Sequence, residues 1–272
     1  MDGNHSPRPQ EVTEVAEHTG TGDPLQSIAL LWRTNPKTGR SGLTLDAVVE
    51  AAITVAAEIG IDKLSMRKIA DRLGVGVMTL YAQVPGKAEL IDLMVDHVHG
   101  TLYESADVIP LESGWRRSLE AVAEHNWNLL AQHRWLLGID VTRPPLGPGT
   151  TVKYDTELHP LMGLGLSEVE VDQVLTLVLN HVKSAARLSL SVDETARATG
   201  RDDREWWTIG GPLLAALITP ERFPNASRIG NAVGQEYESA VDAERAYAFG
   251  LRMILDGVER LVESKGHFPH RT

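Results

Sequence analysis

The chain has 272 residues, 42% of them apolar, no cysteine and a net charge of -11. That much apolar material can bury two packed units, and the missing cysteines exclude disulfides and thiolate metal sites. No apolar run reaches the roughly eighteen residues of a membrane span and no secretory signal opens the chain, so a cytoplasmic protein without a membrane partner is expected. The charge is segregated: residues 1–30 hold one Arg against five acids, residues 31–90 eight Lys/Arg against six acids, and residues 91–272 seventeen against twenty-six. Only the middle segment suits a polyanion; the acidic remainder would be repelled by one.

In chain order, residues 1–22 are rich in Pro, Gly, Thr, His and acids without an apolar period and are predicted to be disordered. Asp23-Pro24 reads as an N-cap and first helical position, followed by Leu25, Ile28, Ala29, Leu31 and Trp32 on a short apolar helix. The stretch "RTNPKTGRSG", residues 33–42, breaks it and leaves Arg33, Lys37 and Arg40 as three cations. Residues 1–42 are thus a flexible extension, open to two readings: an arm reaching a DNA minor groove, or a tail with incidental charges.

From Thr44 the period is helical. Leu45, Val48, Val49, Ala52, Ile53 and Ala56 form one face, closed by Gly60. Ser65 caps a second helix to about Arg72, Gly74 makes a turn, a third helix runs to about Gln83, and Pro85-Gly86 separates it from a fourth over 87–103. Helices are then predicted over 112–133, 150–163, 167–190, 205–218 and 237–264, with no convincing strand and with 191–204 as a polar surface loop or lid. The fold class expected is all-α: an extension over 1–42, a helix-turn-helix domain over 43–90 and a second helical domain over 91–272. Two apolar stripes, Val171 to Val182 and Ala246 to Leu261, suit a four-helix interface between two copies.

The stretch "SMRKIADRLGVGVMTLYAQVPGK", residues 65–87, carries the chemistry of groove recognition. A second helix can enter a major groove about 12 Å wide while the first braces the backbone. Ser65 and Arg67 are placed to meet phosphate, Thr79 and Tyr81 offer hydroxyls, Gln83 can pair with adenine, Val77 and Met78 can touch thymine methyls, and Lys87 can clamp phosphate.

These residues lie within 43–96, which resembles the DNA-binding domain of the tetracycline-repressor family through "RKIA", "LGV", "TLY" and "VPGKAEL". More faintly, "VTRP" (141–144), "KYDTEL" (153–158), "MGLGLSEVEVDQV" (162–174) and "YAFGLRMILDGVERL" (247–261) resemble that family's C-terminal domain. The resemblance implies a homodimeric regulator that binds a pseudo-palindromic double-stranded DNA operator and is released by a small-molecule inducer, with an exporter or biosynthetic gene as target. Where tetracycline-binding members place metal ligands, this chain has Ile139 and Leu188, neither of which can hold magnesium, so no metal or cofactor is expected. Composition and family habit suggest a GC-rich bacterial source and an antibiotic or natural-product ligand.

Candidates for contact with such a ligand are Tyr103, His125, Asn126, Trp127, His133, Trp135, Tyr154, Asn180, His181, Trp206 and Trp207, polar aromatics and amides of the kind that furnish an apolar pocket with a few handles. Each competes with an ordinary role as a core or interface residue. An enzyme is not expected: there is no H-E-x-x-H, no G-x-S-x-G and no P-loop, and His97/His99 and Glu168/Glu170, two residues apart, fall on different faces of a helix. The alternatives are a non-enzymatic interaction protein, or an activator on the same scaffold.

Overall fold

The computed structural model describes residues 17–34, 42–103 and 109–266. Among them the fold is all-α, with eleven α-helices and one pair of two-residue strands. Two compact units form: residues up to His99 with Gly138–Thr150, and Gly100–Leu137 with the chain from Thr151 onward. The stretch 138–150 thus clusters with the N-terminal unit, although the sequence reading assigned it to the second domain.

In the first unit, α1 (Pro24–Leu31) starts where the Asp23 carboxylate accepts from the amides of Leu25 and Gln26. The Thr44 hydroxyl caps α2 (Leu45–Ile59), which buries Val48, Val49, Ala52, Val55 and Ala56 and ends at Gly60, φ 85°. Next come α3 (Met66–Leu73), α4 (Val77–Tyr81) and α5 (Lys87–Thr101).

Helix α5 buries three carboxylates, Glu89, Asp92 and Asp96, at i, i+3 and i+7 on one face. Backbone donors from two other segments meet them. The amide of Asp23 donates to Glu89 at 3.2 Å, that of Gly20 to Asp92 at 2.9 Å, and those of Gly149 and Thr150 to Asp96 at 3.3 and 2.8 Å. Gly22 and Gly147 lie so near the Glu89 and Asp96 carboxylates that a Cβ at either position would collide with them. Strand β1 (Glu17–His18) pairs in parallel with β2 (Ile139–Asp140). Residues 17–22, predicted to be disordered, are therefore anchored: their polar backbone is satisfied by α5 and by a strand partner far along the chain. The disorder expected for residues 1–16, and the cations Lys37 and Arg40, lie outside the described residues.

The second unit holds α6 (Trp115–Gln132), α7 (Pro148–Leu158) from Thr151 onward, α8 (Glu168–Thr199), α9 (Asp203–Leu217), α10 (Pro224–Tyr237) and α11 (Ala243–Gly266). Its core is made by Leu119, Val122, Leu175, Val178, Leu251 and Leu255, where α8 packs against α6 and α11. The apolar stripe Val171–Val182, expected at an interface between copies, is used here inside one chain. What faces outward is Leu177 on α8 and Phe249, Met253 and Gly257, spaced i, i+4 and i+8, on α11. Segment 191–199, predicted as loop, continues α8: it holds no Gly or Pro, Asp193 and Arg197 pair at i, i+4 (3.7 Å), and the helix stops only at left-handed Gly200. Helix α10 was not anticipated, because "PNASRIGNAVGQEY" reads as a break.

Candidate functional site

The helix-turn-helix is built locally. The Ser65 hydroxyl accepts from the Lys68 amide at 3.4 Å to start α3, and Gly74, in the left-handed region at φ 66°, ends it and redirects the chain into α4. Ile69 and Leu80 are fully buried and hold the two helices together. Arg67 is exposed beside the start of α3, Met78 is 79% and Tyr81 43% exposed, and Ser65, Val77 and Thr79 are half-buried on the same short elements. The pair exposes the cations Arg67, Lys68 and Arg72, one phenol and one flexible thioether.

Three expectations for this surface change. Gln83, assigned to a base edge, is only 7% exposed: α4 ends at Tyr81, the backbone N–H of Gln83 donates to the Leu80 carbonyl at 2.9 Å, and the turn carries the side chain inward with buried Val84. Arg33, considered as an arm cation, is pinned, its guanidinium 2.5 Å from both the Leu30 carbonyl and the Asp46 carboxylate. Lys87 is at the first position of α5, but its ammonium lies 2.5 Å from the Glu17 carboxylate and 3.5 Å from the Ile61 carbonyl. The ordered N-terminal segment therefore supplies the anion that the sequence reading expected from a phosphate.

In the second unit, the structure gathers part of the ligand set around a residue the sequence reading missed. The Glu157 carboxylate, 1% exposed, accepts from the Tyr103 hydroxyl at 2.9 Å, the Asn126 amide at 2.5 Å and the Lys153 ammonium at 2.6 Å. Burial, together with the Glu157 charge and hydrogen bond, raises the Tyr103 hydroxyl well above its ordinary pKa. His125 meets Tyr103 edge-on, ring centroids 5.8 Å apart, and its Nδ1 is buried without a hydrogen-bond partner. Tyr103, His125, Asn126, Lys153 and Glu157 thus form a buried polar centre with one ring nitrogen unspent.

A second group is aromatic. Trp127 packs on Tyr247 at 4.7 Å, and His181 Nε2 lies 2.9 Å from the Tyr247 carbonyl, an approach possible because Gly250 has no Cβ to meet the imidazole. Burial, with the charges of Glu124 and Glu120, pushes the Tyr247 hydroxyl up to about 12. Trp127 also lines a gap of about 40 Å³ between α6 and α8, the size of a water site. His133 and Trp135 meet edge-on at 6.2 Å, and the buried Trp135 indole nitrogen has no acceptor.

The remaining candidates lie elsewhere. Tyr154 is exposed and donates to Asp172 at 2.8 Å, because Lys153 and Glu157 take the inward face of α7. Asn180 is exposed because Val178 and Val182 take the inward face of α8. Trp206 and Trp207 sit 6.4 Å apart on α9, Trp206 exposed and Trp207 packed against Gly211 and Gly234 in the α9–α10 hairpin.

Residues 48–94 match the family model of bacterial regulatory proteins of the tetR family, and residues 109–262 match that of the tetracyclin repressor-like C-terminal domain. The chain is 37% identical to the transcriptional repressor DrrR1 of Streptomyces coeruleorubidus over 92% of its own length and 90% of that protein. It is 25% identical to the class C tetracycline repressor protein of Escherichia coli, over 80% of this chain and 92% of that one. Among solved structures it resembles ActR of Streptomyces coelicolor in complex with actinorhodin, with 25% identity, a TM-score of 0.64, and coverage of 81% of this chain and 98% of that one.

Proposed function

Since the chain belongs to the tetracycline-repressor family of DNA-binding transcriptional regulators, which are not enzymes, we propose that it is a ligand-responsive repressor that binds a pseudo-palindromic operator as a homodimer. The observation that carries this reading is the helix-turn-helix turned at Gly74, with Arg67, Met78 and Tyr81 exposed on it. Arg67 and the start of α3 meet phosphate, while Val77, Met78, Thr79 and Tyr81 face the groove. Lys87 joins them once a phosphate oxygen displaces Glu17.

The inducer is a small molecule of natural-product or antibiotic type, received by the polar centre of the second unit. Support comes from the unspent His125 Nδ1 beside Tyr103 and from the relatives, one a repressor and one seen with actinorhodin. The homodimer is made by the outward residues Leu177, Phe249 and Met253, with Gly257 admitting a close helix. Two heads so joined engage half-sites about 34–36 Å apart, or a multiple of it, so a small change in their separation releases DNA. The ligand shifts that balance by its difference in affinity for the two shapes.

The test is a mobility shift of the full chain on DNA from upstream of its own gene, repeated with candidate antibiotics and metabolites. The expected result is a shift that one compound class reverses. No shift at low salt on any upstream fragment would overturn the repressor reading in favour of an interaction protein.

A further inference from the structure

Beneath α1, inside the first unit, lies a cavity of about 140 Å³ walled by Pro24, Ile28, Leu31, Pro145 and Leu146, with the Asp92 carboxylate in its lining. The indole nitrogen of Trp32 donates to the Leu146 carbonyl at 2.7 Å, fastening the end of α1 to the opposite wall. An apolar cavity of about 150 Å³ is large enough to take benzene. The space therefore fits one small ring, and Asp92 decides which kind.

Asp92 is 2% exposed; it accepts from the Gly20 amide at 2.9 Å and the Ser27 hydroxyl at 3.2 Å. Glu89, one turn earlier and also buried, accepts from the Asp23 amide. Among the described residues no Lys, Arg or His forms an ion pair with either carboxylate. Arg143 borders the cavity, but it is exposed and its guanidinium points to the Gly20 carbonyl at 3.4 Å. Burial raises the Asp92 carboxyl above its usual range, the two hydrogen bonds oppose this, and the Glu89 charge adds to it. A buried negative charge with donors but no counter-charge is stabilised by a cation. No group of three or more His, Cys, Asp or Glu side chains suited to a metal occurs among the described residues, so the cation that fits is organic.

We propose that this cavity is a small-molecule site, separate from the inducer site of the second unit, which takes a monocyclic aromatic or aliphatic ring bearing one ammonium or amidinium group. The ring lies against Ile28, Leu31 and Pro145, and the cationic group meets Asp92. The site belongs to the DNA-binding unit, and an occupant holds the Gly20–Leu31 segment onto α5.

Benzylamine is the probe, titrated into the full chain by calorimetry, with toluene and benzoate as neutral and anionic counterparts. Wild-type protein is expected to bind one benzylamine, toluene at least tenfold more weakly, and benzoate not at all. Asp92→Asn keeps an acceptor for Gly20 and removes the charge; it weakens benzylamine at least tenfold. Ile28→Trp, at a half-exposed position, fills the cavity and abolishes binding while leaving Asp92 in place. Exchange of the Gly20 amide, followed by mass spectrometry, slows when benzylamine is present. The proposal is overturned if benzylamine shows no saturable binding, or if both variants bind it as wild type does. A failed operator shift leaves these readouts intact, so the two readings fail separately.

Discussion

At the scale of single residues, the contact between Glu17 and Lys87 bears most directly on DNA binding. A 2.5 Å ion pair at the first position of α5 occupies the cation that the proposed operator contact assigns to a phosphate, so on that proposal DNA binding breaks it. Glu17→Gln frees Lys87 and is expected to tighten binding at low salt, whereas Lys87→Ala weakens binding to every sequence and lowers the salt slope by about 0.9. Anisotropy titrations on labelled operator at several salt concentrations measure both effects. In the second unit, Lys153 is the cation that pairs with the buried Glu157 carboxylate among the described residues. Removing one member of a buried pair strands the other, so Lys153→Ala should cost about 3–5 kcal/mol in urea unfolding. This pair was hard to see in the sequence because Lys and Glu at i, i+4 ordinarily mark a solvated helix face. Gln83 misled for a related reason: its side-chain chemistry suits adenine, but a turn closed by its backbone N–H on the Leu80 carbonyl follows α4 and the side chain is buried, and no spacing rule for a helix applies past Tyr81.

At the scale of elements, the sequence was readable wherever a local device closes a helix. Asp23, Thr44, Ser65 and Gly74 each act within three or four residues of their own position, and each does what its type predicts. The capping box of α8 is another such device: Ser167 receives the Glu170 amide, and the Glu170 carboxylate returns to the Ser167 amide and also meets Lys265 at 2.7 Å. Ser167→Ala should lower stability by about 1 kcal/mol in chemical denaturation. The Lys265 hydrogen bond, ahead of those from Ser167, holds the Glu170 carboxyl at about 2 instead of 4.5. Its folded-state pKa is depressed, so its contribution is present above pH 4.5 and is lost as pH falls toward 2. Melting temperature against pH for wild type and Glu170→Gln should converge below that window and diverge above it. Strands β1 and β2, set by distant partners, were not legible, since two residues each are too few for an alternating pattern; α10, although it packs on neighbouring α9, was hidden by a polar, glycine-containing sequence.

At the scale of the whole molecule, the acidic balance and the locally basic segment are reconciled by segregation, and the helical architecture follows from periodicities visible along most of the chain. The stripe on α8 showed that an apolar face exists but not what covers it, since one chain's core and a second copy's helices place the same demand on a sequence. The proposed dimer assigns the outward residues of α11 to the second copy. Phe249→Glu combined with Met253→Glu places charges where a second copy would pack; sedimentation should show a monomer whose helical content is unchanged, and its operator affinity should fall at least a hundredfold. A variant that stayed dimeric would move the interface to another face.

The pairing of Glu17–His18 with Ile139–Asp140 also has a consequence during synthesis. Strand β1 leaves the ribosome before its partner, which is translated more than a hundred residues later. At about 5–20 residues per second, the segment waits on the order of ten seconds before it can dock. During that interval α3 and α4, which pack chiefly on each other and on the preceding α2, are free to form with Lys87 uncovered, so the nascent head reaches its exposed state before the strand that later occupies this lysine has anything to pair with.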